Sequence, residues 1–310
     1  MAARIETPRP HETTTRADRT VRELAVRTIR RRLRAVWTEL HLACTEDGGS
    51  ETIHRLRVAS RRAIAAIDSF AALVPGGSRR WLRRRLRELR RAAGDARDLD
   101  VLADRLTGDV PPSPVSAARR RLVAMLSRQR PLARRPVIEV RERLMAAGWT
   151  ERVAHLLDRV ADGRRNPPSR EFARQQLKRV VRRFFERADR GVRRGAELHR
   201  LRIDGKRLRY TLEIFSPLLS ADHRRRCEKT LEVLQEWLGR YTDHESIAER
   251  LRRWSDRPVV EADRQLLESM GRAEHDAADR ARRKFVKWWT RSRRRALRRS
   301  FRRAIRRKSA

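Results

Sequence analysis

The chain has 310 residues, 39% hydrophobic and 38% charged, enough apolar material for one large domain or two smaller ones. Lys plus Arg number 79 against 40 Asp plus Glu, a formal net charge of +39. A folded surface gains nothing from an excess that repels itself, so the balance points to a polyanionic partner: nucleic acid, an anionic membrane or inorganic polyphosphate.

Residues 1–17 read as a flexible start, polar and carrying Pro8 and Pro10, without the apolar run of a signal. Beyond them nearly every segment has helical period, and Gly and Pro gather at a few points of punctuation. Helices are expected near 18–44, 50–74, 78–93, 96–130 (interrupted at 111–114) and 137–161, then a linker at 162–168. A second series follows near 169–193, 195–219, 221–238 and 241–256, and a last helix runs from Pro258 to about residue 307. Ser50, Ser78, Ser113 and Ser169 are candidate N-caps, because a hydroxyl satisfies the orphan amides of a first turn. The fold class is all-α, in two halves at 18–162 and 163–290, with a basic C-terminal helix or tail at 291–310. No stretch approaches the ~18 uncharged apolar residues of a membrane-spanning helix, so a cytoplasmic protein is expected. Cys44 and Cys227 stand far apart and read as small buried apolar residues.

The halves repeat one another. A shift of 145 residues, His54 onto His199, lays 53–106 on 198–251 without a gap. His54-Arg55-Leu56-Arg57-Val58 falls on His199-Arg200-Leu201-Arg202-Ile203, Arg61-Arg62 on Lys206-Arg207, Phe70 on Phe215, Gly94 on Gly239 and Asp98 on Asp243. At 100° per residue, Ile53, Leu56, Ala63, Ile64, Ile67 and Phe70 share the core side of their helix. His54, Arg57, Arg61 and Ala65 lie opposite, with Arg62 beside them. The duplicate places Leu198, Leu201, Leu208, Leu212 and Phe215 inward, and His199, Arg202, Lys206 and Tyr210 outward, flanked by Arg207. His54 to Ala65 spans roughly 17 Å, a strip suited to a string of phosphates rather than to one ion. A solvated helix face is the plainer reading of any one such strip, but the same pattern in both copies argues against it.

The pattern His-x-x-Arg-(Val/Ile)-x-x-(Arg/Lys)-Arg, present twice and followed by Gly-x-x-x-Asp, resembles the CHAD domain (conserved histidine α-helical domain) over about residues 18–290. The resemblance implies two four-helix bundles related by pseudo-two-fold symmetry, with a basic central surface that binds inorganic polyphosphate and, in some members, targeting to polyphosphate granules. Matched by position, it implies that His54, Arg57, Arg61, Arg62, His199, Arg202, Lys206, Arg207 and Tyr210 contact the ligand, with Arg55, Arg200 and Arg209 at the edge. The segment Gly94-Asp95-Ala96-Arg97-Asp98 resembles a family turn, in which Arg97 joins the basic surface and Asp95 or Asp98 caps the next helix. Thr242-Asp243-His244 leaves Arg97 without a twin.

Arginines of the neighbouring helices (Arg27, Arg30, Arg31, Arg34; Arg179, Arg182, Arg183, Arg187; Arg83, Arg87, Arg90, Arg91) are taken as solvated surface or as a widening of the cationic wall. Arginines around each histidine disfavour a metal ion or acid–base hydrolysis, and neither a Glu-x-Glu-x-Lys strand nor a phosphate-binding lysine loop occurs, so no cofactor and no catalysis are expected. Nucleic acid is the alternative ligand, although aromatic residues are only 5% and offer few stacking platforms. In the stretch 284–308, Phe285, Trp288, Trp289, Leu297, Phe301 and Ile305 line one side of a basic helix. That helix closes the bundle, touches an anionic membrane, or adds a hold on a polyanion.

Overall fold

The computed structural model describes residues 20–45, 50–107, 114–192, 195–219, 221–257 and 260–306; the expectations for 1–17, for the break at 111–113 with Ser113, for Pro258 and for the end of the basic stretch beyond 306 lie outside them. The described residues form ten α-helices and no strand: α1 (Val21–Ala43), α2 (Ser50–Ser69), α3 (Gly76–Leu106), α4 (Pro114–Ala146), α5 (Trp149–Asp162), α6 (Ser169–Asp189), α7 (Gly195–Phe215), α8 (Ala221–Ser255), α9 (Glu261–Trp288) and α10 (Arg291–Ile305). Each half contributes five helices, where the resemblance implied four. The fifth is a closing helix: α5 packs on α1 and α4, and α10 on α6 and α8.

Several boundaries differ from the expected ones. Helix α1 starts with a capping box, in which the Thr20 hydroxyl accepts from Glu23 N (3.2 Å) and Glu23 Oε2 accepts from Thr20 N (3.4 Å). Three of the serines do not cap: Pro75 precedes α3 and Pro168 precedes α6, so Ser78 and Ser169 are already helical, and Ser50 is the first residue of α2. Gly94 and Gly239 fall inside unbroken helices, which leaves Asp95 and Asp98 no helix to cap. Helix α4 runs through Pro131 and Pro136. Each proline removes a helical hydrogen bond, but Leu122 and Leu126 are anchored in one core and Val137, Val140 and Leu144 in another, so burial at both ends carries the helix across.

Two apolar cores result. The main one takes residues from both halves, with Phe70 just beyond α2 against its repeat-equivalent Phe215 of α7 (centroids 5.5 Å, edge to face) and Phe172 of α6 against both. The predicted inward set is buried, Ile64 only partly. Cys227 is buried, while Cys44 is only half-buried. The second core joins the far ends of the α3–α4 and α8–α9 hairpins, through Leu99, Leu102 and Leu106, Leu122 and Leu126, Ile247, Leu251 and Trp254, and Leu266 and Leu267. Helices α3 and α8 therefore pass from one core to the other, and α2 packs on α7 beside that passage.

Phe70→Ala and Phe215→Ala should each cost about 3–5 kcal/mol by urea unfolding, and together less than their sum, because each removes half of one ring contact. Strict additivity would mean the two rings do not support one another.

Candidate functional site

Repeat-equivalent cations meet where α2 packs on α7. Arg61 lies close enough to Lys206 and Arg202, across the junction, to depress the proton affinity of both. On its own side it does the same to Arg57, Arg90 and His54. His54 also feels Arg97 and Lys206, and His199 feels Arg202 and Lys206. Thus His54, Arg57, Arg61 and Arg97 from one half share a site with His199, Arg202 and Lys206 from the other.

The cluster is partly buried, which makes its charge expensive. Burial, then Arg202 and Arg61, pushes the Lys206 ammonium down to about 7. Burial, then Arg61 and Arg90, pushes the Arg57 guanidinium to about 10. Burial is also the first cause of the lowered proton affinity of both histidines. The Nε–H groups of Arg61, Arg90 and Arg202 are buried and meet no acceptor in the protein. Half-buried, mutually repelling cations with unpaired donors are a local environment that an anion improves.

The two motif arginines lie down over equivalent glycines of the neighbouring helices. Arg57 Nη1 donates to the Arg90 carbonyl of α3 at 2.7 Å, and a Cβ at Gly94 would stand 3.8 Å from that nitrogen. Arg202 repeats the arrangement against α8: a Cβ at Gly239 would stand 3.8 Å from its Nη2, which is 3.3 Å from Asp243 Oδ1. Each guanidinium thus lies over a glycine of the neighbouring helix, at a distance where a Cβ would make only ordinary van der Waals contact. Asp98 pairs with Arg250 from the other half and also acts on Arg57. Both aspartates hold arginines, so Asp98 is structural through an ion pair and not through the helix cap expected of it.

Other expected residues lie elsewhere. Tyr210 is not on an open face: it is 5% exposed, with Arg62 and Arg209 over its ring at 5.9 and 5.4 Å. The junction that buries it also buries its equivalent, Ala65. Arg62 is directed to Glu213 (3.8 Å), which also receives Arg32 from α1 at 2.6 Å. Arg207 sits among Arg83, Arg179 and Arg183 rather than beside Lys206. Arg55 is exposed and pairs with Glu39 at 3.0 Å, and Arg200 is exposed. Arg209 stays close enough to act on Lys206. Sequence reasoning left Arg90 open between solvated surface and a widening of the cationic wall, and missed Arg250. Arg90 corresponds to Gln235 and so carried no duplicated signal; Arg250 falls on Arg105, but at the end of the aligned repeat, far in sequence from the motif.

The C-terminal stretch is two helices, not one. Helix α9 stops at Trp288, and the Thr290 hydroxyl caps α10 by accepting from Arg293 N at 3.2 Å. Leu297, Phe301 and Ile305 are buried in the main core, so α10 closes the bundle and its apolar side is not free for a membrane. No helix among the described residues is long and apolar enough to cross one.

A family model described as the CHAD domain matches residues 27–252. Among solved structures, the chain is similar to the crystal structure of the CHAD domain from the plant Ricinus communis, with a TM-score of 0.66 and 23% identity over 96% of this chain and 97% of that one. It is also similar to PptA from Streptomyces chartreusis, with a TM-score of 0.56 and 17% identity over 86% of this chain and 98% of that one. At these identities the likeness is one of fold. No curated protein matches the chain.

The electrostatic cost predicts a stability effect. Lys206 titrates near 7 when folded and at the ordinary lysine value when unfolded. Between those values the unfolded state holds more protons, so stability rises with pH; below about 7 both states are charged and the full penalty remains. Lys206→Met should therefore be more stable than the parent at pH 6, by on the order of 2 kcal/mol once solvent screening is allowed for, and the gap should close toward pH 10. Urea unfolding of the pair across that range checks it; a pH-independent gap would remove the charge argument.

Proposed function

The chain belongs to the CHAD-domain family, and on that footing we propose that it binds inorganic polyphosphate, without catalysing its turnover, through the cation cluster between α2 and α7. The observation that carries this reading is the meeting of Arg61 with Lys206 and Arg202 from the opposite half, half-buried and with the Nε–H groups of both arginines unpaired. A polymer of phosphates supplies acceptors for the unpaired Nε–H groups and counter-charge beyond that of Asp243. Its backbone has no sequence to read, which suits guanidinium and ammonium groups without stacking aromatics. His54, Arg57, Arg61, Arg97, His199, Arg202 and Lys206 form the contact set on this reading, extended by Arg90 and Arg209. Tyr210 serves as a buried platform under Arg62 and Arg209, and Arg55, Arg62, Arg200 and Arg207 contribute to the surrounding positive field.

The two halves then act as the two walls of one cradle, the geometry of a pseudo-two-fold pair. Association with polyphosphate granules follows from such binding. The non-catalytic part rests on the composition of the cluster: its neighbours are cations, and its carboxylates, Asp98 and Asp243, are engaged with arginines.

Replacing Arg57, Arg61, Arg202 and Lys206 together by Ala should abolish binding of long-chain polyphosphate, measured by anisotropy, while circular dichroism shows the helices intact. For about eight neutralised phosphates, the slope of log K against log salt should be roughly −5 to −6 in the parent. Short RNA or DNA that displaces the polymer at equal phosphate would instead establish nucleic acid as the ligand. Release of phosphate from labelled polymer would refute the non-catalytic reading.

Binding should also take up protons. A bound polyanion favours ammonium at Lys206 and imidazolium at His54 and His199, all of which have lowered proton affinity in the free protein. Affinity should fall between pH 7 and 9 as Lys206 loses its charge, and rise further as pH drops below the ordinary imidazole range, where the two histidines gain theirs. Lys206→Arg should flatten the alkaline limb only; a parent profile flat from pH 5.5 to 9 would take all three residues off the contact set.

A further inference from the structure

Away from the α2–α7 junction, α10 lies along α6, and the two helices leave a cavity of about 590 Å³ between them. They run antiparallel there: Arg298 reaches Asp189 at the end of α6 and lies 4.6 Å over the Phe185 ring, while Arg306 shares the other end with Arg174. Arg174, Lys178 and Arg182 border the cavity on the α6 side, one turn apart. Arg298, Arg302 and Arg306 border it on the α10 side with the same spacing. Val181, Phe185 and Ile305 form the floor between the two rows, together with the methylene stems of the cations. Phe185 and Ile305 belong to the main core, and Val181 packs half-buried against it.

The cations are not all alike. Asp189 holds Arg298, Glu186 stands 3.6 Å from Arg182, and Glu171 holds Arg174 at 2.8 Å. Among the described residues no carboxylate comes within ion-pair distance of Lys178, Arg302 or Arg306, although Glu171 feels Lys178. All three are exposed and gather at the end of the cavity away from Phe185. Three whole charges outweigh the half charge of the α10 C-terminus beside them.

We propose that this cavity binds a single-chain amphiphile with an anionic head, a carboxylate or a phosphate monoester on an unbranched alkyl chain. The head sits among Lys178, Arg302 and Arg306, and the chain lies over Val181 toward Phe185. A phosphate polymer has no use for an apolar floor, and a neutral lipid has none for two rows of cations. The volume falls within the roughly 300–1,000 Å³ of small-ligand sites and suits one alkyl chain rather than the two of a phospholipid. Helix α10 keeps Leu297 and Phe301 in the core, so the ligand comes as a dissolved molecule and not as a bilayer. Touching both helices, it fastens α10 to α6. The site is separate from the α2–α7 cluster and does not depend on the polyphosphate reading.

Calorimetric titration of the full chain with dodecyl phosphate, below its micelle concentration and at physiological salt, tests this. One molecule should bind per chain, and amide exchange should slow in α6 and α10 but not in α2. Affinity should rise about two- to fourfold for each methylene added from octyl to dodecyl phosphate. Dodecanoate in the same series decides which head the cations prefer, and dodecanol should not bind. Lys178→Glu combined with Arg302→Glu, both exposed, should weaken binding at least tenfold while leaving helicity and polyphosphate binding unchanged. Many equal sites per chain, as for a detergent adsorbing to a net charge of +39, would overturn the proposal. So would inorganic phosphate binding as tightly as the alkyl ester, or full affinity in the double variant. A chain that ignores polyphosphate yet takes up one dodecyl phosphate loses the polymer reading and keeps this site.

Discussion

Arg61 and Lys206 repel one another, yet repeat-equivalent positions of α2 and α7 bring them to one half-buried junction. Holding like charge there requires a scaffold that does not yield, and the two cores supply it. The Phe70, Phe172 and Phe215 cluster fastens α2, α6 and α7 near the ends of the motif helices. The joined hairpin tips fasten α3 and α8 on the other side. Carboxylates complete the frame: Asp98 with Arg250 and Glu213 with Arg32 tie one half to the other around the cluster. Net stability of a folded domain is only about 5–15 kcal/mol, so a strained cation cluster persists only with such support.

The large positive charge is not all of one kind. Much of it pairs locally along helices, as in Arg252 with Glu249 and Asp256, or Arg240 with Glu236, and such exposed pairs contribute little. Helix α10 turns arginines outward while Leu297, Phe301 and Ile305 hold it in the core. What distinguishes the α2–α7 junction is desolvation. The same cations on an open face would keep their water and their ordinary proton affinity, and would have little to gain from a particular ligand.

Periodicity and the 145-residue repeat made the helices, their inward faces and the motif strips legible, because each rests on local pattern. Helix continuity was less so. Gly94 and Gly239 looked like turns, since a glycine shows what a position lacks and not what lies against it; only the folded chain brings Arg57 and Arg202 over them. Pro131 and Pro136 looked like breaks, and burial at both ends of α4 overrode them. Helical phase placed Tyr210 with the cations, but phase cannot tell solvent from a second helix, and α2 covers that side. Arg62 and Arg207, one step around from Arg61 and Lys206, diverge to separate partners for the same reason. Arg90 and Arg250 enter through tertiary packing alone.

A crystal of the protein soaked with long-chain polyphosphate tests the central claim most directly. The account predicts electron density for consecutive phosphates between α2 and α7, within hydrogen-bonding distance of Arg61 on one side and Lys206 or Arg202 on the other. Phosphates bound only along the outer arginines of α10 or another exposed helix face, with the junction unchanged, would contradict it.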